Sequence, residues 1–371
     1  MNLPKITDTA DRVRRGATRG GVPSRVASAQ AGGDHEGPDH RDEVARRFTE
    51  FVRSVADGGP GSTGSPSPPT RPLPLPGSGE TWERWKVLAE TAEHDLALGR
   101  LAEGHADALA IIAEVGGEAP SVPDGARWGV WAAEPPGSRL AASSVGGRWA
   151  VHGLRRYCSG AFMCTHAVVT ADAPDGPRLF TVDLAQSGCR PVPGSWPAVG
   201  MAASETLDVR FDEAAAEPLG PVGAYLGRPG FHHGGAGVAA VWWGGANAVA
   251  RPLYEAGRAG RLDAHGPAHL GAVDIALTTA RTVLHQAADE IDADPHDHDG
   301  AAETRALRVR AVVEKACAEV LEHVGRALGA GPLCHDARHA RAVADLTVYV
   351  RQHHAERDLA RLGSLAAEGD L

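Results

Sequence analysis

The sequence lacks the features that mark several large classes of protein. It has no excess of positive charge: 37 Lys and Arg stand against 47 Asp and Glu, a formal net charge of −10, which argues against binding a nucleic-acid backbone through basic patches. No apolar run reaches the roughly 20 residues that a membrane helix needs. The basic N-terminus is not followed by the apolar segment of about 7–15 residues found in secretory signals. We therefore expect a cytoplasmic protein whose partners are neither nucleic acid nor membrane.

Cysteine is also scarce. The five cysteines form no Cys-x-x-Cys pair, so we interpret them as reduced thiols. The run that looks most like a metal-ligand cluster is His-Asp-His-Asp at 296–299. It lies in a polar segment between two predicted helices, whereas a metal site needs three or four converging ligands with a supporting shell. We predict no metal site.

The first third of the chain is predicted to be helical. The 371 residues are enough for two or three domains. Residues 1–40 are polar without a periodic apolar pattern, which predicts disorder. Residues 41–125 form a predicted N-terminal helical domain, because apolar residues recur at helical spacing over 42–56 and over 81–115, the latter as one or two helices. A Pro, Gly and Ser tract at 58–79 predicts a linker within this domain.

The spacing of the hydrophobic residues changes from a helical to a strand pattern at Trp128 and returns to a helical pattern after Pro229. Between 126 and 228, short runs of β-branched and aromatic residues are bounded by Gly, Pro, Asp or Ser, which predicts an antiparallel β-barrel domain. From 229 to 371, four long segments predict a four-helix bundle: Gly237–Ala256, Ala268–Ile291, Ala301–Leu328 and Ala337–Leu362. The predicted fold class is α+β, with an N-terminal helical part, a central antiparallel β-barrel and a C-terminal four-helix bundle.

Four short motifs follow one another along the chain. They are Ala-Glu-Pro-Pro-Gly-Ser at 133–138, Gly-Leu-Arg-Arg-Tyr-Cys-Ser-Gly at 153–160, Gly-Met-Ala-Ala-Ser at 200–204 with Val-Arg-Phe at 209–211, and Arg-Ala-Leu-Gly-Ala-Gly-Pro-Leu at 326–333. In order and spacing they resemble motifs of the acyl-CoA dehydrogenase family. The resemblance extends from about Thr81 to Gly363 and implies the same succession of helices, barrel and bundle.

The resemblance implies a flavin site at the edge of the barrel, for FAD or alternatively FMN. Ala133 would contribute its backbone and Ser138 its hydroxyl. Tyr157 would lie against the flavin ring where the family has Trp, and Ser159 would replace the family's Thr, with Cys158 between them. Donors at this edge would stabilise negative charge on the reduced flavin. The alternative is that Tyr157 and Ser159 are only a strand aromatic and its neighbour.

The remaining cofactor contacts implied by the resemblance lie in the C-terminal region. The family's Arg-x-x-Phe-Gly motif, which touches the FAD pyrophosphate, is missing here, and Arg261 is the candidate replacement. Gly329 and Gly331 belong to the loop with which family members complete the flavin site of a neighbouring subunit. The resemblance therefore implies a homodimer or a homotetramer.

The catalytic carboxylate of the family is absent. Many members carry the base in Tyr-Glu-Gly-Thr, and alignment on Asp345 brings Gln-His-His-Ala at 352–355 to that position. His353 is the candidate base, since a histidine pKa is near neutral; on a continuous helix, His354 would point about 100° away from it. Glu255 is the alternative base, or else a solvated charge at a helix end. Glu103 and His105 are interpreted as surface residues of their helix, with a position bordering the substrate as the alternative.

Three functions are compatible with these residues. The first is α,β-dehydrogenation of an acyl thioester with hydride transfer to FAD. The second is flavin-dependent monooxygenation of a small substrate, because Ser159-Gly160 and His353 also resemble monooxygenases built on the same fold. The third is a non-redox protein that kept the fold, which the altered flavin motif favours. All three predict a small-molecule partner.

Overall fold

Three helices form the N-terminal part of the structure, a computed structural model that describes residues 38–57, 72–116 and 122–368. They are α1 (Pro38–Asp57), α2 (Thr81–His94) and α3 (Leu96–Val115). The apolar positions that predicted them are buried, because each helix packs its apolar side inward. Residues 1–37 of the predicted disordered segment and residues 58–71 of the predicted linker lie outside the described residues.

The region 81–115 is two helices because Asp95 interrupts it. The Asp95 carboxylate accepts a hydrogen bond from the Leu98 backbone N–H at 2.9 Å, which caps the first turn of α3. It also contacts His40 of α1 at 2.8 Å. From there α3 runs between the barrel and the C-terminal helices, and most of its residues are buried. It is therefore one of the elements through which the barrel and the bundle meet, beside the direct contact of Met201 with Asp345 of the C-terminal helices.

Seven strands follow: β1 (Trp128–Trp131), β2 (Arg139–Val145), β3 (Arg148–Cys158), β4 (His166–Ala173), β5 (Gly176–Asp183), β6 (Cys189–Val192) and β7 (Leu207–Leu219). Five of them close a ring in the order β4, β2, β3, β7, β5 and back to β4. β1 extends the edge of β4, and β6 pairs with β7. The predicted barrel is confirmed, with its inward side chains packed into the main hydrophobic core.

The barrel is mixed, so the prediction of an antiparallel barrel was wrong in part. β1 pairs with β4 in parallel over four residues, and β2 meets β4 in parallel at Ala141 and Asp172. The cause is the β2–β3 hairpin, which lies between β1 and β4 along the chain. After this hairpin, β4 pairs beside β1 and runs in the same direction. The hydrophobic pattern of a strand does not encode the direction of a partner so distant in sequence.

The C-terminal region is helical, as predicted. It contains α4 (Ala224–Gly227), α5 (Pro229–Arg258), α6 (Gly266–Ala293), α7 (Ala302–Leu328), α8 (Gly331–His335), α9 (Ala337–Tyr349) and α10 (Glu356–Glu368). α5, α6, α7 and α9 pack their apolar faces on one another. No helix within the described ranges is both long and apolar enough to span a membrane.

The fourth predicted bundle helix is interrupted. α9 ends at Tyr349, a 3-10 turn covers Val350–Gln352, and His353 is extended before α10 begins. Ala355 has a φ of 50°, a left-handed conformation that helices do not contain. The Asp358 carboxylate stabilises the break by accepting a hydrogen bond from the His354 backbone N–H at 3.1 Å. His353 therefore lies in a loop, and the predicted helical relation between His353 and His354 was wrong.

Candidate active site

The buried Arg155 of β3 organises the first motif of the barrel edge. Its guanidinium donates to the Ala133 carbonyl at 2.8 Å and to the backbone carbonyl of Thr170. Ala133 itself is exposed, whereas Ser138 is buried, and the Ser138 hydroxyl accepts a hydrogen bond from the Arg156 backbone N–H at 3.1 Å. The loop is thus fixed to the sheet, and the Ala133 carbonyl and the Ser138 hydroxyl are both engaged within the protein.

Tyr157 lies in a β-bulge at the end of β3. The register of β3 against β7 shifts between Arg155 and Cys158, and Tyr157 has a φ of 61°. The bulge turns the Tyr157 ring outward, where it is 49% exposed and meets Trp196 edge to face at 6.2 Å. The Cys158 side chain points into the barrel core, where burial raises the pKa of its thiol. Only the backbone of Cys158 faces the edge.

Ser159 is held by a short chain of hydroxyl groups. Its hydroxyl lies 2.9 Å from that of Thr206, which lies 2.7 Å from that of Ser204. The Trp131 indole N–H donates to the Ser159 carbonyl at 3.0 Å. Ser159 is buried, and its hydroxyl proton goes to Thr206, because the Ser204 hydroxyl donates to the Met201 carbonyl at 2.7 Å and therefore accepts from Thr206.

His353 is buried and has one unused ring nitrogen. The Ala355 backbone N–H donates to Nδ1 at 3.2 Å, while Nε2 has no hydrogen-bond partner among the described residues. Because Nδ1 accepts, the neutral ring carries its proton on Nε2. Burial lowers the pKa of His353, and Arg310 lowers it further against the opposing effect of Asp358. The side chain is therefore a neutral N–H donor at pH 7.

Arg310 of α7 connects the His353 loop to α5. Its guanidinium donates to the Gln352 carbonyl at 2.8 Å and to the Gly235 carbonyl of α5 at 3.0 Å. It also lies 4.7 Å from the ring of Trp242, whose buried Nε1 has no partner in the described part of the chain. The first turns of α5 and the loop before α10 thus face one another across Arg310.

α3 brings the barrel edge to this region. A Cβ on Gly160, directly after Ser159, would lie 3.0 Å from the Leu101 side chain, so the edge packs closely on α3. Two residues beyond Leu101 lies Glu103, whose carboxylate accepts a hydrogen bond from Arg100. Both charges act electrostatically on Tyr349, at the end of α9. We call the region between the barrel edge, α3 and the His353 loop the inner site.

Glu255 is remote from the inner site. It is exposed near the C-terminus of α5, 20 residues beyond Gly235, which corresponds to about 30 Å along a helix. It lines a separate cleft of about 600 Å³ between α1, α5 and α9. Glu255 and His353 therefore cannot act at the same reacting atom.

Arg261, Gly329 and Gly331 lie at the same end of the bundle as Glu255. Arg261 is in the turn after α5, Gly329 is in the turn after α7 and Gly331 begins α8, and all three are exposed. The two turns are neighbours, because His269 of α6 and His323 of α7 approach within 2.9 Å between their Nδ1 atoms. Within one chain these residues are not brought to the barrel edge.

Sequence reasoning misjudged two residues and missed others. Glu103 and His105 are buried, so their interpretation as helix surface was wrong. Arg310 was not identified, since a single charge on an amphipathic helix carries no local signal. In the described residues no group of three or more His, Cys, Asp or Glu side chains could hold a metal ion.

Comparison with known proteins finds similarity in structure only. No protein-family model matches the sequence, and no curated protein matches it. TdsC from Paenibacillus sp. A11-2, solved with FMN and indole, has a TM-score of 0.67 at 18% identity over 89% of this chain and 96% of its own. TdsC is a dibenzothiophene monooxygenase, as described for another of its solved structures.

Two further solved structures have the same architecture. The nitrososynthase from Micromonospora carbonacea var. africana has a TM-score of 0.69 at 19% identity, over 89% of this chain and 93% of its own. XiaF from Streptomyces sp., in complex with FADH2 and glycerol, has a TM-score of 0.67 at 14% identity, over 91% of this chain and 90% of its own. At these identities the comparison shows the fold alone, which is the acyl-CoA dehydrogenase-like fold that the sequence predicted.

Proposed function

We propose that this protein is a flavin-dependent monooxygenase acting on a small molecule at the inner site. The observation that carries the proposal is His353, a buried neutral imidazole whose Nδ1 accepts a backbone hydrogen bond and whose Nε2–H has no partner in the described residues. Such a group donates a hydrogen bond and does not accept a proton at Nε2. This suits the stabilisation of an oxygen atom better than removal of a proton from carbon.

The barrel edge fits a planar flavin ring. Tyr157, Phe162 and Val199 are large apolar side chains that stay about half exposed or more, at 49%, 59% and 55%. Aromatic and apolar surface of this kind is typical of cofactor sites, where a few polar groups fix the orientation. The loop that carries Ala133 and Ser138 would border the ring, and Ser159 would contribute a hydroxyl oxygen. The cofactor is FMN or FAD, as in the similar proteins TdsC and XiaF.

The residues of this chain would divide the work as follows. A bound reduced flavin supplies the electrons with which dioxygen transfers one oxygen atom to the substrate and releases the other as water. Tyr157 would pack on the ring. The Ser159 hydroxyl donates to Thr206, because Ser204 donates to the Met201 carbonyl and therefore accepts from Thr206, so Ser159 would face the ring edge as an acceptor. His353 donates from Nε2 into the inner site. Arg310 holds the His353 loop against α5, which keeps bulk water out.

α,β-Dehydrogenation of an acyl thioester is the second candidate function. It is supported by the position of His353, which falls where the resembling family carries its catalytic base. Two observations weigh against it. The Ala355 N–H occupies the ring nitrogen that could take a proton, and charged side chains such as Arg100 and Glu103 border the inner site where an acyl chain needs apolar walls.

The experiment combines flavin binding with two reaction conditions. The full chain is titrated with FMN and FAD, oxidised and reduced, and then exposed either to oxygen with a library of small molecules or to acyl-CoA esters without oxygen. We expect flavin to bind, and mass spectrometry to find a product with one added oxygen atom. Anaerobic bleaching of the bound flavin by an acyl-CoA would replace the proposal with dehydrogenation. Failure to bind any flavin would leave a non-redox protein.

A further inference from the structure

Ser159 is the outermost of three hydroxyl groups that form a chain running inward from the barrel edge. The Ser159 hydroxyl lies 2.9 Å from the Thr206 hydroxyl, which lies 2.7 Å from that of Ser204. All three residues are buried, and none is more than 8% exposed. Because each hydroxyl carries a single hydrogen, the group at the inner end of the chain decides the direction of every hydrogen bond in it.

The inner end of the chain is a backbone acceptor. The Ser204 hydroxyl donates to the Met201 carbonyl at 2.7 Å, and the Ser204 backbone N–H donates to the same carbonyl at 3.1 Å. A carbonyl only accepts, so Ser204 has no hydrogen left for Thr206 and accepts from it. Thr206 in turn accepts from Ser159. The Ser159 proton therefore points inward, and a ligand at the edge would meet the lone pairs of its oxygen.

The turn that carries the Met201 carbonyl is fixed to α9. The Asp345 carboxylate of α9 accepts a hydrogen bond from the Met201 backbone N–H. Met201 has a φ of 61°, a left-handed conformation that this contact helps to hold. A Cβ on Gly200 would lie 2.2 Å from the Ala344 carbonyl oxygen, so the turn packs directly on the helix backbone. The acceptor at the inner end of the chain therefore has a fixed direction.

The segment that carries Ser159 is tied to the same turn by its backbone. The Gly160 N–H donates to the Ser204 carbonyl at 2.7 Å, and the Ala161 N–H donates to the Glu205 carbonyl at 3.2 Å. These two bonds hold the hydroxyl groups at hydrogen-bonding distance from one another. Reversal of the chain would break the bond from the Ser204 hydroxyl to the backbone, so the polarity of the chain belongs to the fold.

An acceptor at this edge distinguishes the two oxidation states of a flavin. The resemblance to the acyl-CoA dehydrogenase family implied donors here, whereas the hydroxyl chain gives Ser159 the opposite polarity. Nitrogen N5 of the flavin ring accepts hydrogen bonds when the ring is oxidised and carries a hydrogen when the ring is reduced. An oxygen that only accepts can bond the reduced ring, and it places lone pair against lone pair with the oxidised ring.

We propose that the direction of this hydroxyl chain makes the barrel edge bind reduced flavin in preference to oxidised flavin. Ser159 would meet N5 of the ring, and Thr206 and Ser204 are positioning residues, because they act only through Ser159. The inference rests on the proposed function in that it places the flavin at the barrel edge, but discrimination between oxidation states requires no oxygenation.

The test measures dissociation constants of the full chain for FMN and FAD, each oxidised and reduced, by titration without oxygen. The natural chain should bind the reduced form at least about tenfold more tightly, since one state gains a hydrogen bond and the other leaves a polar atom unpaired. Thr206→Val removes the acceptor of the Ser159 proton, so Ser159 can donate outward. Affinity for oxidised flavin should then rise and the preference should fall about tenfold. General damage to the fold does not raise an affinity.

Four further variants separate the chain from other effects. Thr206→Ser keeps the hydroxyl and should restore the natural preference. Ser204→Ala removes the acceptor of Thr206 and should shift the preference in the same direction as Thr206→Val. Ser159→Ala should remove the preference without raising the affinity for oxidised flavin. Thr181→Val, at a barrel threonine that is similarly buried at 7% exposure and lies outside the chain, should change neither affinity.

The outcomes separate this inference from the proposed function. Equal affinities of the natural chain for the two oxidation states, or an unchanged preference in both Thr206→Val and Ser204→Ala, would overturn the inference. Oxygenated product formed by a protein with such an unresponsive preference would leave the proposed function standing alone. A preference that follows the chain, without any oxygenated product, would uphold the inference while the proposed function fails. Absence of flavin binding in either state would overturn both.

Discussion

The roles of two buried histidines depend on which ring nitrogen each one uses in a hydrogen bond within the protein. His353 uses Nδ1 within its own loop and leaves Nε2 for a ligand. His105 also uses Nδ1, which accepts a hydrogen bond from the Trp128 backbone N–H at 3.2 Å and so joins α3 to β1. Both histidines accept at Nδ1. We propose that His353 acts on a ligand, whereas His105 joins two elements of the fold.

The donor role of His353 can be separated from a base role by substitution. His353→Ala should lower the rate of oxygenation by about 10²–10⁴-fold while flavin stays bound. His353→Gln keeps an N–H donor without a basic nitrogen, so we expect it to retain much more activity. The matched control is His354→Ala, because His354 is exposed and bonds Asp358. Rates are measured with the substrate that the oxygenation screen identifies, and equal losses in the Gln and Ala variants would refute donation.

His105 should make the fold sensitive to mild acid. Burial, with help from Arg84, lowers the pKa of His105 to about 4. Since the unfolded chain has a histidine pKa of about 6.5, the unfolded state binds more protons between these values. The stabilisation is complete above pH 6.5 and is lost as the pH falls to 4, a change of about 3 kcal/mol.

The measurement is urea unfolding at pH 7 and pH 4.5. His105→Gln, whose amide oxygen can still accept from Trp128, should lose less stability between the two pH values than the natural chain does. Because the change in unfolding free energy between the two pH values is compared in both chains, the contributions of other titrating groups cancel. An identical pH dependence in both chains would contradict the assignment.

At the scale of elements, the sequence predicted those helices and strands that depend on the spacing of neighbouring residues. Helical and strand periods located most elements, because burial of one face imposes the period. The pattern could not predict that β1 joins β4 in parallel, or that α9 ends at Tyr349, since both depend on distant partners or on Asp358 reaching back to His354. Glu103 was misread because its pairing with Arg100, three residues earlier, is also typical of exposed helices.

The crossing of α2 and α5 sets a testable limit on packing. A Cβ on Gly244 would lie 2.1 Å from the Ala89 carbonyl oxygen, which is part of the α2 backbone and cannot turn away. Gly244→Ala should therefore destabilise the protein by about 1–3 kcal/mol. Gly271→Ala on α6 is the matched control, because its Cβ meets no atom within 4 Å, and it should stabilise by about 0.5–1 kcal/mol. Thermal unfolding that ranks the two variants in the opposite order would show that α2 and α5 can separate at no cost.

At the scale of the whole molecule, the residues predicted to bind flavin divide into two groups. Ala133, Ser138, Tyr157 and Ser159 belong to the barrel edge, whereas Arg261, Gly329 and Gly331 belong to the far end of the bundle. The first group was accessible to sequence reasoning because its residues are adjacent in sequence. The second can serve a flavin only if another copy of the chain brings it there, which agrees with the expected homodimer or homotetramer.

A mixture of two defective chains tests this arrangement. Tyr157→Ala damages the barrel edge, and Arg261→Ala damages the bundle turn, so each variant alone should bind little flavin. When the two are coexpressed, random pairing makes half of the dimers hybrid, and each hybrid has one site with both parts intact. About a quarter of the flavin content of the natural protein should then return. Flavin is measured by absorbance per chain, with sedimentation to establish the assembly. A content equal to the mean of the two variants would show that each chain builds its flavin site alone.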